Sequence, residues 1–328
     1  MSKKNKLILF ISLFILIFGG LLVVATLYDY QITHFLANKW MHDGQYFSSN
    51  IFGRIFEVIG EMPLYLFVII ASVIIVINLE KMKNKPGRII LTILFLIVGV
   101  GIGFYGWNRV GKYLSELNPE NLAFLHDNSI ASIAKLLLSM MVEVIVYYFA
   151  SKYFKDLSYK LLPFAIIVLI CALLSNGFVQ GLKPFAARER YRATYYLDYN
   201  YNVIHNGFTP WYKLNGSSSD IVDALKSQGV DTAKTTFYSS FPSGHTCGIS
   251  IVYSLMFIPF YLEKTNQMKY KWIFIVLPIF LTGLVGVSRM VMGAHYMSDV
   301  LFGGTSGFIS ALIGYIIVTA IFKKVKSK

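Results

Sequence analysis

Long apolar runs separated by short polar connections dominate the chain. They fall at approximately 7–28, 60–79, 89–107, 130–149, 161–182, 243–262, 272–288 and 299–322. A helix needs roughly 17–25 apolar residues to cross a ~30 Å hydrocarbon core, and the eight runs meet that need, the seventh being the shortest. The pattern therefore predicts an all-α integral membrane protein, a bundle of about eight transmembrane helices. The first run follows MSKKNK. It exceeds the ~7–15 residues of a signal h-region and no small-x-small cleavage site closes it, so a retained first span is expected.

The polar connections orient the bundle. KKNK, EKMKNKPGR, SKYFKDLSYK, EKTNQMKYK and KKVKSK hold 17 of the 30 Lys and Arg residues. By the positive-inside rule these segments face the cytoplasm, which puts both termini there and gives an even number of spans. One connection differs: a polar, Tyr-rich stretch at 184–241, long enough to be functional. Within it NGSSSD reads as a turn, and IVDALKSQG as a short helix ending at Gly229.

Composition agrees with the pattern: 55% of residues are hydrophobic and 14% charged, against about 25% charged in a typical soluble domain. A net charge of +13 would suit a nucleic-acid partner, but the basic residues cluster between apolar runs, where topology accounts for them. No nucleic-acid partner is expected. Cys171 and Cys247 lie inside apolar runs, offer no metal-ligand spacing and read as packing residues. Glu143 and Lys135, eight residues apart within one run, are costly intramembrane charges. Belonging to no motif, they are expected to pair inside the bundle.

Three clusters sit at run ends on the predicted outer face. LKPFAARERYR carries Lys183 and Arg190, with Arg188 and Arg192 beside them. PSGH spans Pro242 to His245, and SRMVMGAHYMSD carries Ser288, Arg289, His295 and Asp299. Each alone has a bland reading: an interfacial basic patch, a helix cap, an ordinary polar histidine. His34, His42, His126 and His205, in predicted outer loops, read as ordinary polar residues. Convergence on one face changes the weighing. Asp299 follows His295 by one helical turn, so its carboxylate can orient that imidazole as nucleophile or base. Lys183, Arg190 and Arg289 can surround a group with several anionic oxygens. Ser243 and Gly244 put a hydroxyl and open N–H groups at a helix start, and His245 adds an acid and base. With no metal-ligand cluster in the sequence, these cations would do the work of a metal in phosphoryl transfer.

Lys-x6-Arg, Pro-Ser-Gly-His and Ser-Arg-x5-His-x3-Asp, in that order, resemble the signature of the type 2 phosphatidic acid phosphatase family, which includes the lipid phosphate phosphatases and is related to vanadium haloperoxidases. The resemblance implies a six-span phosphatase core at 86–328, including the outer loop 184–241, with 1–85 as a two-span N-terminal addition. It implies that His295 attacks phosphorus to form a phosphohistidine, that Asp299 orients it, and that His245 protonates the leaving oxygen and then activates water. Lys183, Arg190, Ser243, Gly244 and Arg289 would hold the phosphate, with no metal and no cofactor. The family normally places Pro after the first-motif Arg. Here Tyr191 stands there, so spacing from Lys183 alone selects Arg190 over Arg188 and Arg192. The function implied is hydrolysis of a membrane lipid phosphate or polyprenyl diphosphate at the outer face of a bacterial plasma membrane. A phosphotransferase using the same intermediate is the near alternative. A transporter retaining the motifs is a more distant one, supported by Glu143 and Lys135.

Overall fold

The computed structural model describes every residue except 1–2, 43, 118, 233–235, 263–268 and 327–328. Part of the basic segment 263–271 and the last two residues of KKVKSK thus lie outside the described residues. Among the described residues all regular structure is helical. The chain runs through α1 (Lys3–Ala37), a 3-10 turn at Asn38–Trp40, α2 (Ile51–Ile59), α3 (Met62–Leu79) and α4 (Lys85–Leu117). The short α5 (Pro119–Leu122) and α6 (Phe124–Asp127) lead to α7 (Ser129–Tyr153), α8 (Lys155–Lys160) and α9 (Leu162–Ala186). Then come α10 (Tyr191–Asn200), α11 (Ser218–Ser227), α12 (Gly244–Ile249), α13 (Ile258–Tyr261), α14 (Ile273–Val291) and α15 (Met297–Lys326).

Seven helical stretches among the described residues are long and apolar enough to cross a membrane, so this is a multi-pass membrane protein. The predicted sixth run, 243–262, is not among them. It is helical in three pieces, α12, a 3-10 segment at Ser250–Phe257, and α13. Two serines explain the tighter winding, because their hydroxyls bond carbonyls three residues back: Ser250 Oγ to Cys247 at 2.5 Å and Ser254 Oγ to Ile251 at 2.8 Å. A 3-10 helix rises ~2.0 Å per residue against ~1.5 Å in an α-helix, so the composite run still reaches about 30 Å.

Contacts divide the chain into two compact units. The first comprises Met1–Arg54, Phe178–Gly244 and Gly286–Gly304; the second comprises Ile55–Gly177, His245–Val285 and Thr305–Lys328.

In the second unit α3 is buried along most of its length and packs against α4, α7, α8 and the 3-10 segment. α7 turns only Lys135, Ser139 and Glu143 fully inward. Eight helical residues separate Lys135 from Glu143 by about 12 Å, so the two do not pair with each other. Lys135 Nζ instead donates to Asn108 Oδ1 on α4 at 2.9 Å, and the Glu143 carboxylate lies over Gly99, where a Cβ would come within 2.3 Å of Oε1. The two cysteines are free and buried, as expected. Gly307 of α15 lies so close to Ser250 that a Cβ would overlap its hydroxyl.

In the first unit the 184–241 stretch shares a core with Tyr46, formed by that residue, Ala193, Tyr196, Leu197, Leu225, Val230, Phe237 and Tyr238. α11 is the predicted short helix. The Ser217 hydroxyl accepts from the Asp220 N–H at its start, and Gly229 takes the left-handed conformation (φ 82°) just past its end.

Candidate active site

Seven of the eight residues singled out, Lys183, Arg190, Ser243, Gly244, Arg289, His295 and Asp299, belong to the first unit; His245 begins a segment of the second. In the first unit the chain after α9 turns through Ala187 (φ 39°) and runs extended to Arg190, the residue that precedes α10. This segment pairs with the approach to PSGH: Arg190 N–H donates to the Phe237 carbonyl at 3.0 Å and Ser240 N–H to the Arg188 carbonyl at 3.0 Å. Lys183 Nζ and Arg190 Nη2 both donate to the Ser239 carbonyl, at 3.0 and 3.4 Å.

The three arginines of RERYR have separate fates. Arg188 is fully buried and bidentate across two acids, giving Nη1 to Asp299 Oδ1 at 2.6 Å and Nη2 to Asp29 Oδ2 at 2.8 Å. Its Nε bonds the Thr209 carbonyl at 2.7 Å, and its plane lies 4.3 Å over the Tyr296 ring. Arg192 lies over Tyr46 and Phe47, at 4.7 and 5.0 Å. Arg190 shares an acceptor with Lys183. Tyr191, standing where the family has Pro, is the first residue of α10, a position Pro favours because its N–H has no intrahelical partner. The helix starts there without it, and the Tyr191 hydroxyl reaches α1 instead, 2.9 Å from His34 Nδ1 and 3.1 Å from Asn38 Oδ1. His34 is thus a residue of α1, not of an outer loop.

His295 lies in the turn between α14 and α15 and is almost fully buried. Its Nδ1 is 2.6 Å from the Ser240 carbonyl oxygen. A carbonyl can only accept, so Nδ1 carries the proton and Nε2 keeps its lone pair. Asp299 Oδ2 is farther away, 3.8 Å from Nδ1. Burial, with the positive charges of Arg190 and Lys183, holds the His295 pKa well below the ordinary imidazole value, against the opposing pull of Asp299.

Asp299 is held by other groups. Oδ2 accepts from Ser240 Oγ at 2.5 Å and from the Tyr296 N–H at 2.8 Å. The second bond is the return half of a capping box, in which the third helical residue bonds the N–H of the residue before the helix. Asp29 of α1 caps the same helix start, accepting from Ser298 N–H at 2.9 Å. The Asp299 carbonyl accepts from Ser243 N–H at 3.0 Å, tying PSGH to α15. Gly244 opens α12. Arg289, buried in the last turn of α14, accepts through its carbonyl from Ala294 N–H at 3.1 Å.

With this geometry in hand, comparison with known proteins decides the family. The sequence matches the PAP2 superfamily over residues 133–323, more than half of the chain. The chain belongs to the PAP2 superfamily. Among curated relatives, "Phospholipid phosphatase 1" of Rattus norvegicus is 28% identical over 197 residues, covering 51% of this chain and 68% of that protein. "Phosphatidylglycerophosphatase B" of Bacillus subtilis (strain 168) is 33% identical over 89 residues, covering 26% of this chain and 41% of that protein. The second alignment therefore spans about two fifths of that relative. No solved structure matches.

The PAP2 match begins within α7, so Asp29 lies outside it. Asp29, Arg188 and Ser240 are the positions that sequence reasoning did not bring into the site. Arg188 and Ser240 adjoin motif residues, but nothing in their spacing gives the direction of their side chains. Asp29 is a lone acid at the end of an apolar run, and intramembrane charge is the one signal that could have found it. His205 is more than an ordinary polar residue. It bridges buried Glu189, at 3.0 Å, and Asp198, at 2.9 Å, and these carboxylates raise its pKa to about 9.

Proposed function

We propose that this protein hydrolyses the phosphate or diphosphate ester of a membrane lipid, without a metal, through a phosphohistidine on His295. The observation that carries the reading is the His295 tautomer: Nδ1–H held on the Ser240 carbonyl leaves Nε2 as an unprotonated nucleophile beside two cations. Nε2 attacks phosphorus, the ester P–O bond breaks, and His245 gives its proton to the leaving oxygen. Water then attacks the phosphohistidine, His245 takes the water's proton, and inorganic phosphate leaves. Lys183, Arg190 and Arg289, with Ser243 and the Gly244 N–H, hold the phosphoryl oxygens as charge moves onto them. Arg190 suits that role better than its neighbours, because Arg188 is engaged by two carboxylates and Arg192 by two aromatic rings. The names of the two relatives support a phospholipid-type substrate. The charge pattern supports both termini in the cytoplasm, with the composite 244–261 run as the eighth crossing and the site on the outer face.

Detergent-purified protein should release phosphate from phosphatidic acid or phosphatidylglycerol phosphate in excess EDTA, and millimolar vanadate should inhibit it. His295→Ala should lose at least about a thousandfold in kcat. Retained turnover in that variant sinks the assignment. The core that residues of the 184–241 stretch build with Tyr46 favours a second reading in which a lipid or glycan hydroxyl replaces water. Phosphorylated acceptor formed in excess over free phosphate would identify that phosphotransferase.

A further inference from the structure

His245 meets residues of α2, of α4 and of the turn before α3 that lie outside the three motifs. Its Nε2 lies 3.1 Å from the Glu57 carbonyl oxygen on α2. Its Nδ1 lies 3.5 Å from Oε1 of Glu61, the residue immediately before α3. The Tyr113 ring of α4 sits 5.2 Å from the imidazole. Both ring nitrogens therefore face oxygens that can only accept. A neutral imidazole has one N–H and one lone pair and suits only one such neighbour, whereas the imidazolium suits both.

Glu61 is itself held in place. Arg109 gives Nε to Oε2 at 3.0 Å and Nη2 to Oε1 at 3.1 Å, while Tyr65 donates its hydroxyl to Oε2 at 2.8 Å. Arg109 also donates to the Tyr113 hydroxyl. Gly248, three residues after His245, permits the approach: a Cβ there would stand 3.3 Å from Glu61 Cγ and 3.5 Å from its Cα. Residues of α3, α4 and α12 thus converge on one carboxylate, one oxygen of which faces the imidazole. The ionisable groups described around the ring include Glu57 from α2, Glu61 just before α3, Tyr65 from α3, and Arg109 and Tyr113 from α4. Glu61 and Arg109 both precede the PAP2 match, so this chain supplies them from helices outside the matched region.

We propose that Glu61 is a positioning residue for phosphoryl transfer, holding His245 as the imidazolium that protonates the leaving oxygen. The proposal rests on the reading of His245 as the acid. As the His295 Nε2–P bond forms and the P–O ester bond breaks, the proton on His245 Nε2, which rests on the Glu57 carbonyl, passes to the departing alkoxide. His245 is left neutral with its Nδ1–H toward Glu61. In the second step water attacks phosphorus, the His295–P bond breaks, and the proton of that water restores the imidazolium. A fixed negative charge at Nδ1 favours the charged form at the start of the first step and at the end of the second. His295, buried among cations, is kept neutral, so the two imidazoles are set in opposite states by their surroundings.

Leaving-group dependence tests this. A lipid alkoxide departs poorly without a proton, whereas p-nitrophenolate departs readily. Glu61→Gln should lower kcat on phosphatidic acid by about 10- to 100-fold, part of what a general acid contributes. It should lower kcat on p-nitrophenyl phosphate less than about threefold, leave both KM values unchanged, and move the alkaline limb of the kcat–pH profile to lower pH. Glu61→Asp, keeping the charge, should recover most of the lipid activity. Glu61→Gln with Arg109→Gln removes both buried charges together and covers the case in which the single variant does not fold. Equal losses on the two substrates, or no loss on lipid, in the folded variant overturn the proposal. His245→Ala, run in parallel, separates the two ideas. If it lacks the leaving-group split, the acid assignment fails; if it shows the split and the Glu61 variants do not, the role of Glu61 alone fails.

Discussion

Asp299 illustrates how one side chain serves several neighbours. Its oxygens are shared among Arg188, the Ser240 hydroxyl and the Tyr296 N–H, with the His295 ring farther off. The link from Asp299 to His295 runs through Ser240, whose hydroxyl meets the carboxylate and whose carbonyl holds the imidazole. Arg188 bridges Asp299 and Asp29 with one positive charge, in a place where neither acid reaches water. Removing one partner of a buried pair costs about 3–5 kcal/mol, because an uncompensated charge stays behind. Arg188→Ala, which strands two acids, should lower the thermal unfolding midpoint in detergent steeply and abolish phosphate release. Arg188→Lys keeps the charge without the planar fork and should fold, with kcat reduced about tenfold or more. Equal midpoints for Arg188→Ala and the parent protein would show that the pairs contribute nothing.

At the scale of elements, the segment around His205 is held by chemistry that responds to pH. Buried Glu189 accepts from Thr194 Oγ1 at 3.0 Å and from Gly207 N–H at 2.9 Å, and it faces His205. With its pKa raised from the ordinary 6.5 to about 9, His205 favours the folded state in its charged form. That stabilisation is complete below pH 6.5 and fades as pH climbs through about 9. Hydrogen exchange of residues 201–209 should therefore quicken between pH 7 and 10 beyond the intrinsic base-catalysed increase. His205→Gln should exchange at the fast limit throughout. A profile in the parent that follows the intrinsic rate alone would remove His205 from this role. Two elements of the stretch differed in legibility. α11 was readable because Ser217 and Gly229 mark its ends, whereas α10 was not, because its YRATYYLDYN sequence lacks an apolar stripe and is ordered by packing against Tyr46 and Phe237.

For the whole molecule, the topology that orients the site is open to direct measurement. Cys171 and Cys247 are buried, so the parent gives little background to a thiol reagent. Tyr212, in the 184–241 stretch, and Lys155, in the basic segment SKYFKDLSYK, are both exposed. In intact cells a membrane-impermeant maleimide should label Tyr212→Cys and should label Lys155→Cys only after lysis. The reverse pattern would turn the proposed orientation over.

By itself, the sequence determined the helical membrane class, the family and the residues of the three motifs, because each depends on local quantities: the length of apolar runs, the placement of charge, and short spacings. Run length also misjudged one element, since apolar character does not distinguish α from 3-10 winding, and the Ser250 and Ser254 hydroxyls sit where that winding changes. Only the tertiary structure decided which arginine of RERYR meets which partner, that Ser240 stands between Asp299 and His295, and that Asp29 and Glu61 reach residues more than 150 positions away. Those outcomes depend on burial. Where water is excluded, most charges and N–H groups need a nearby partner, and which partner is near is set by how helices remote in sequence pack.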